Sequence, residues 1–440
     1  MRFDWSFFAQ IVCAQNLTWG MTSMWNDKLN VMHIIGNLDI GGAQEVVRTL
    51  VEFLLASGSC QPVVCTFKDG PLRQEIEQVG VKVEVLPQRR YGVVALPLFI
   101  MDMVRIWKSL AELVKRYDVD VVQTHLLASL DFLVLLLLYT TDLRVVLWTF
   151  HNVRFELTAA MLPRHKWLLL PKRYSHRLLY RLASHLVSGF IAVSDEVKEA
   201  MIETIGPIQD KIVVVDNGVD VRRYGRPVDR VAIRHQLGLE ANTRLIAVVA
   251  TLKEQKGHRY LIEAMAVIVP RHPDLHVLFI GDGELREELQ VQVERLNLGH
   301  HIYFLGSRSD VPQLLAACDL FVLPSLWEGL SMALLEAMAT GLPIVATEVS
   351  GTVQVLVPNE TGILVPPGEP GRLTHAIERL MSDPERAQAM GAAARRRVAA
   401  EFSAQKQAGE HLALYHRLLD GSPVSRSSKG IKRCQVRSPQ

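Results

Sequence analysis

The stretch Pro324-SLWEGLSMALLEAMATGLPIVA-Thr347 governs how the rest of this chain is read. It begins where the apolar run Asp319-LFVL-Pro324 stops and ends in a second apolar run behind a Gly-Leu-Pro turn. Between them, Ser331 to Met338 are good or acceptable helix formers, and Gly341 followed by Pro343 is a helix stop. Strand, loop, helix, turn and strand in that order predict a parallel α/β unit. Two carboxylates frame the helix, Glu328 in the loop before it and Glu336 eight positions on. At helical rise they stand roughly 12 Å apart along the axis. A glycosidase pair works across about 5 to 9.5 Å, so shared acid/base chemistry on one atom fits poorly. One elongated ligand gripped at both ends fits better. The amides of Gly329, Leu330 and Ser331 lie between the grips, at a helix start that favours phosphate.

Working outward, the chain repeats this pattern. Leu29-NVMHII-Gly36 reads as a strand, and Gly41-Gly42 turns it into a helix ending near Gly58. That turn lets an anionic or polyhydroxyl ligand approach the backbone, but it lacks the G-x-G-x-x-G fingerprint of a dinucleotide site. Strands over Pro62–Phe67 and Val81–Leu86 follow, then a helix over Pro97–Arg116. His125 and His151 end two later strands, Asp120-VVQTH and Arg144-VVLWTF, with one helix over Asp131–Tyr139 between them. Open parallel sheets place ligands at such strand ends. Ile212-VVVDNGVD-Val221 reads as the opening of a second α/β series. In that series a loop with Lys253, Lys256 and Gly257 joins a strand to a helix, where its two cations can neutralise a diphosphate. Leu373–Phe402 reads as largely helical, followed by a last helix over Ala404–Leu419.

The expected fold is therefore α/β, two doubly wound Rossmann-like domains facing each other across a cleft. The domain reading gives an extension over 1–29 that is poorly ordered, a first domain over 30–212 and a second over 213–400. A helix over 401–420 crosses back to the first domain, and a disordered tail covers 421–440.

Composition excludes several classes of function. The chain has 440 residues, 21% of them charged, and a formal net charge of +2, so nothing marks it for nucleic acid. Five cysteines, at 13, 60, 65, 318 and 434, are scattered without metal-ligand spacing and read as free thiols of a reducing compartment. The longest apolar run, Phe132–Tyr139, falls far short of the ~20 residues that span a bilayer. Between Arg154 and Arg181 seven Arg and Lys residues are interleaved with Trp167, Tyr174 and leucines, against the single acid Glu156. Such a pattern suits an anionic membrane surface, and equally a solvated helix face with a core-facing stripe.

Taken in order, the motifs resemble those of the retaining glycosyltransferases of family 4, with the GT-B fold. They are GGAQE at 41–45, TFH at 149–151, NGVD at 217–220, KG at 256–257 and GDG at 281–283. FLG at 304–306, CDLFVLPS at 318–325, EGLSMALLEAMATGLPIVAT at 328–347 and TGILVPPGE at 361–369 complete the series. The resemblance covers roughly residues 30 to 400 and implies a role for each matching residue. Glu336 would hold the ribose hydroxyls of a sugar nucleotide, Glu328 would lie by the transferred sugar, and Lys256 would contact the diphosphate beside the amides of Gly329, Leu330 and Ser331. Gly41 and Gly42 would face the donor across the cleft, His125 would stand near the reacting end of the sugar, and His151 would stand beside it. Ser307 and Arg308 would hold the nucleobase. The catalytic set is then His125, Glu328 and Lys256, with no metal site and no cofactor. At two positions the chain departs from the family: Ala250-Thr251-Leu252 replaces a Gly-Arg-Leu pattern, with Lys253 as a substitute charge, and Gln354 stands where relatives carry Glu.

The resemblance implies transfer of a sugar from a UDP- or GDP-sugar to a glycan or lipid-linked acceptor, with retention, in polysaccharide or glycolipid synthesis. The expected location is cytoplasmic, peripheral on the membrane's cytoplasmic face. A sugar-nucleotide epimerase of the same fold and a non-catalytic nucleotide-sugar-binding subunit are the alternatives.

Overall fold

The structure, a computed structural model, describes residues 28–86, 96–125, 129–152, 177–206, 208–422 and 424. The expectations for the N-terminal extension, for most of the basic Arg154–Arg181 stretch and for most of the tail lie outside the described residues.

Two all-parallel sheets organise the chain. The first has the order β3-β2-β1-β4-β5-β6-β7. Its strands are Leu29–Ile35, Cys60–Thr66, Lys82–Val85, Val121–His125, Val145–Phe150, Gly189–Ala192 and Ile212–Val214, numbered β1 to β7 along the chain. The second has the order β10-β9-β8-β11-β12-β13. Here β8 to β13 are Arg244–Val249, Leu275–Ile280, Ile302–Gly306, Leu320–Leu323, Ile344–Thr347 and Ile363–Val365. Helices cover both faces of each sheet, which is why central strands such as β5 and β11 are buried along their whole length. In each sheet the strand order reverses once, between β1 and β4 and between β8 and β11, and parallel sheets open a ligand crevice at such a point.

One face of the first sheet is mainly apolar, with Met32, Ile34, Val122, Val146, Trp148 and Phe190 in a single core. The other starts apolar, with Val31, Val121, Val145 and Leu147 against Leu414 and Tyr415 of the closing helix Ala404–Leu419. Toward the carboxyl ends of its strands this second face turns polar, with His33, Gln123, His125, Thr149 and His151 all buried. Tyr415 donates its hydroxyl hydrogen to Gln123 Oε1 and anchors the closing helix on that polar strip. The chain thus passes between the domains twice. The passages are paired side by side, with Val219 N on Phe402 O at 2.9 Å and Ala404 N on Val219 O at 3.0 Å.

The structure corrects the sequence reading in three places. Ile212–Val214 opens no second domain; it pairs with β6 as the last strand of the first sheet, and the domain change follows it. Its apolar run suits either sheet, so composition cannot assign it. The helix read over Asp131–Tyr139 is two, Ser129–Leu135 and Leu137–Thr140. The helical stretch after Leu373 also divides, into Pro370–Met381 and Pro384–Glu401, because proline starts a helix far better than it continues one.

Candidate active site

All of the residues expected at the site, from Gly41 to Glu336, line one cleft of about 640 Å³ between the two domains. Its walls are the loops at the two reversal points, after β1 and β4 on one side and after β8 and β11 on the other.

The second-domain wall is charged. Lys256 ends a short 3-10 turn after β8, and Gly257 follows in the left-handed region at φ 62°. A Cβ at Gly257 would come within 2.0 Å of the Pro324 carbonyl, so only glycine lets the β8 loop meet the end of β11 this closely. Two further bonds hold the loops together, Leu326 N to Gln255 O at 2.8 Å and Gln255 Nε2 to Trp327 O at 2.9 Å. That seam sets Lys256 Nζ 2.5 Å from Glu328 Oε1, which also accepts from Ser325 Oγ at 2.6 Å. Glu328 is 4% exposed, so its charge is balanced by partners and not by water. Lys253 lines the cleft beside them; burial, then the neighbouring Lys256, lowers its pKa.

The helix after β11 runs from Met332 to Thr340, with Ser331 in the extended N-cap position without a side-chain cap bond. It starts one residue later than the sequence suggests, so its first free amides are those of Met332 and Ala333, which also line the cleft. Behind this start, a Cβ at Gly351 would meet the Gly329 carbonyl at 1.7 Å, so a glycine there is needed to seat the Glu328–Gly329 loop.

Glu336 faces the cleft from one turn inside that helix and is buried. Burial, and then the Glu45 carboxylate, push its pKa up to about 7, against the partial relief of the Tyr224 hydroxyl, Arg223 and Arg48. Sequence reasoning missed these neighbours. Arg223 reaches Glu75 at 3.1 Å and Glu45 at 3.6 Å, while Arg48 pairs with Glu45 at 2.7 Å and Glu52 at 2.8 Å. No motif signals Arg223 and Tyr224, which reach these acids only when the crossing segment folds back between the domains.

The first-domain wall combines the acids Asp39, Glu45 and Glu75 with the glycine pair and two buried histidines. Gly41 caps the helix Gly42–Ala56 with extended backbone at φ −173°. Neither glycine is among the residues of left-handed conformation, so the pair is not the tight turn the sequence suggested. The space beside Gly42, where no atom lies within 4 Å of a built Cβ, is open to the cleft. His125 and His151 sit side by side with Nδ1 of the first 3.1 Å from Nε2 of the second. Burial, then its histidine neighbours, holds His125 well below the usual imidazole range.

Ser307 and Arg308 follow β10 at the far end of the cleft, where the Arg308 guanidinium is engaged by Asp310 at 2.6 and 2.8 Å. Of the two departures, Thr251 is exposed and lines the cleft. Gln354 does not line it; its amide donates to Asp216 at 2.7 Å in the crossing segment. Among the described residues no cluster could hold a metal ion, and no helix is long and apolar enough to cross a membrane.

Comparison with known proteins agrees with this geometry. The Glycosyltransferase Family 4 pattern matches residues 40–223, and the Glycosyl transferases group 1 pattern matches residues 229–397. The UDP-Gal:alpha-D-GlcNAc-diphosphoundecaprenol alpha-1,3-galactosyltransferase of Escherichia coli is 32% identical over 284 residues, 62% of this chain and 70% of that protein. The lipopolysaccharide core biosynthesis mannosyltransferase LpsB of Rhizobium meliloti is 29% identical over 213 residues, 47% of this chain and 61% of that one. Among solved structures, Anabaena HepE in complex with UDP and glucose superposes with a TM-score of 0.72 at 23% identity, covering 88% of this chain and 99% of that one. The two patterns divide where the crossing segment divides the sheets, and the chain belongs to the family 4 glycosyltransferases of the GT-B fold.

Proposed function

We propose that this glycosyltransferase takes its sugar from a nucleoside-diphosphate sugar, UDP- or GDP-linked, and passes it to a lipid-linked or free glycan acceptor with retention. The observation that carries this reading is the convergence of Lys256, Glu328, the helix start at Met332 and Glu336 on one cleft. Breaking a sugar–diphosphate bond develops positive charge on the sugar and negative charge on the leaving group. Lys256 and the amides of Met332 and Ala333 are the groups that stabilise the anion, a contribution of several kcal/mol in comparable sites. Glu328, beside Lys256, orients the lysine and meets the sugar hydroxyls, while Glu336 accepts from the ribose diol. His125 and His151 form the uncharged floor under the reacting sugar. Lysine and helix amides supply the charge stabilisation without a metal. Domain closure keeps water from the donor. The E. coli relative, whose name specifies a UDP-galactose donor and a diphosphoundecaprenol-linked acceptor, supports a polyprenyl-linked substrate class.

Contact with an anionic membrane surface, on the cytoplasmic side, follows from the basic stretch that begins at Arg154 and from Leu178, Leu179, Leu182 and Leu186, each about half exposed. The test is incubation with labelled UDP- and GDP-sugars plus polyprenyl-diphosphate glycans, reading out transfer, anomeric configuration and resistance to chelator. Absence of binding to every nucleotide sugar sinks the donor assignment, and epimer formation without acceptor would replace transfer by epimerisation. Sedimentation with anionic vesicles but not zwitterionic ones tests the membrane contact.

A further inference from the structure

The cleft histidines do not end at the cleft. His33, in the middle of β1, places its Nδ1 3.1 Å from His125 Nε2, and His125 places its own Nδ1 3.1 Å from His151 Nε2. The three rings lie edge to edge in a row, with centroids 5.4 and 5.3 Å apart and successive planes tilted by only 26° and 28°. His125 and His151 line the cleft; His33 does not and has no exposed surface. The two end atoms, His33 Nε2 and His151 Nδ1, are buried without a hydrogen-bond partner among the described residues.

Each neutral imidazole carries one N–H, and each of the two contacts needs one hydrogen between its nitrogens. Three protons on such a row therefore have only two arrangements. In one, every ring is protonated on Nδ1, the bonds run His33 to His125 to His151, and His151 is left with an N–H. In the other, every ring is protonated on Nε2, the bonds run the opposite way, and the spare N–H is trapped on His33. The rings cannot choose separately. Burial keeps the row uncharged, lowering His33 to about 3 and His151 to about 4, with His411 of the closing helix adding to the effect. His411 itself, bonded through Nδ1 to the Gln407 carbonyl, is lowered to about 4 by burial and brings no charge. Both arrangements leave one buried N–H without a partner among the described residues, but only that of His151, a cleft-lining residue, lies where a bound ligand can satisfy it. The first arrangement is the cheaper one.

We propose that His33 is a positioning residue that donates to His125 and so locks all three rings as Nδ1–H tautomers, with His151 holding its proton as a donor toward an oxygen of the bound sugar or its diphosphate. The benefit to transfer rests on the donor reading given above, whereas the tautomer lock does not. It is read on the ligand-free protein by nitrogen-15 NMR of labelled histidines near neutral pH, with single substitutions assigning the signals. His33, His125 and His151 are expected to be protonated on Nδ1. In His33→Leu the His125–His151 pair is freed and the Nδ1–H signature of both is lost. In His33→Asn, whose amide nitrogen can donate from near the Nδ1 position, it returns. Turnover at saturating donor follows the same order, falling about tenfold in His33→Leu, the worth of one hydrogen bond, and recovering in His33→Asn, with KM for the donor unchanged. Nε2–H rings in the unsubstituted protein, or unchanged His125 and His151 signals in His33→Leu, overturn the lock. If His33→Leu does not fold, the spectra of the unsubstituted protein and of His33→Asn decide. An intact lock with equal turnover in His33→Leu and the unsubstituted protein overturns the positioning role.

Discussion

The two walls of the cleft are built from the same topology and carry different chemistry. Each is a parallel sheet whose strand order reverses once, and each presents the loops at that reversal. On the second-domain side they hold Lys256 and Glu328, paired at low exposure, with Glu336 buried in the helix that follows. On the first-domain side is a histidine row that burial keeps neutral, on a wall that also carries Asp39, Glu45 and Glu75. Topology thus supplies the location of the site, and side chains supply what it does there. The fixed charges of the second-domain wall suit diphosphate and ribose, and the uncharged histidines suit a sugar that develops positive charge.

The contrast is most exposed to failure at Lys256. Lys256→Ala is expected to lower turnover by about 10²- to 10³-fold, as loss of a preorganised charge at a leaving group does. It also strands the buried Glu328, so Lys256→Ala with Glu328→Gln should recover thermal stability without recovering turnover. A loss under threefold in the stable double variant would mean that this wall is not where the leaving group is stabilised.

Glu336 gives the next largest effect. Glu336→Gln should weaken nucleoside-diphosphate affinity by about 10- to 100-fold, measured calorimetrically, since a charged acceptor to the ribose diol is lost. The folded-state pKa of Glu336 is raised by burial to about 7, above the ordinary 4.5, so the folded protein binds this proton more tightly than the unfolded chain. Its contribution to stability is full below the unfolded value and is lost as pH rises through about 7, a change on the order of 3 kcal/mol. Glu336→Gln should therefore unfold at a higher denaturant concentration than the unsubstituted protein at pH above about 7, with little difference below about pH 4.5. Equal midpoints at both ends would show that the carboxylate is better solvated than its burial suggests.

His125→Ala is expected to cut turnover by about tenfold while leaving the affinity for UDP or GDP unchanged, because base, ribose and phosphates are held by the other wall. Parallel losses of both would break the division between the walls. The smallest effect is expected at Thr251, which lines the charged wall and is exposed. Thr251→Arg adds a cation and should tighten diphosphate affinity by about threefold at low salt, fading as salt is raised.

The sequence showed the second-domain wall far better than the first-domain one. Lys256, Glu328 and Glu336 stand within motifs whose spacing carries meaning, and the Gly341–Pro343 stop marks the helix they frame. The two-sheet architecture was equally legible, since apolar strand runs alternate with capped helices through both halves. His33 was not singled out, because a histidine in an apolar run carries no sign of which strand will lie beside it. Only the β1–β4 register, which sets His33 opposite Gln123 and Ile35 opposite His125, brings the rings together. Tyr224 and Arg223 escaped for the same reason, being placed by the segment that crosses between domains. The strand Ile212–Val214 was misassigned because an apolar triplet fits either sheet, and the matter is settled by pairing with β6.

The closing helix has a consequence for synthesis. Leu29 and Val31, made near the start of the described chain, share a core with Leu414 and Tyr415, made near its end. The first domain therefore cannot complete its interior as it leaves the ribosome. It must wait, with that face uncovered, until the second domain has been translated and the last helix has emerged. Domains generally fold in order from the amino end, and partly built sheets with exposed apolar faces are prone to aggregate. In this chain the second domain, whose sheet and helices are continuous in sequence, can finish before the first, and the helix Ala404–Leu419 then seals β1.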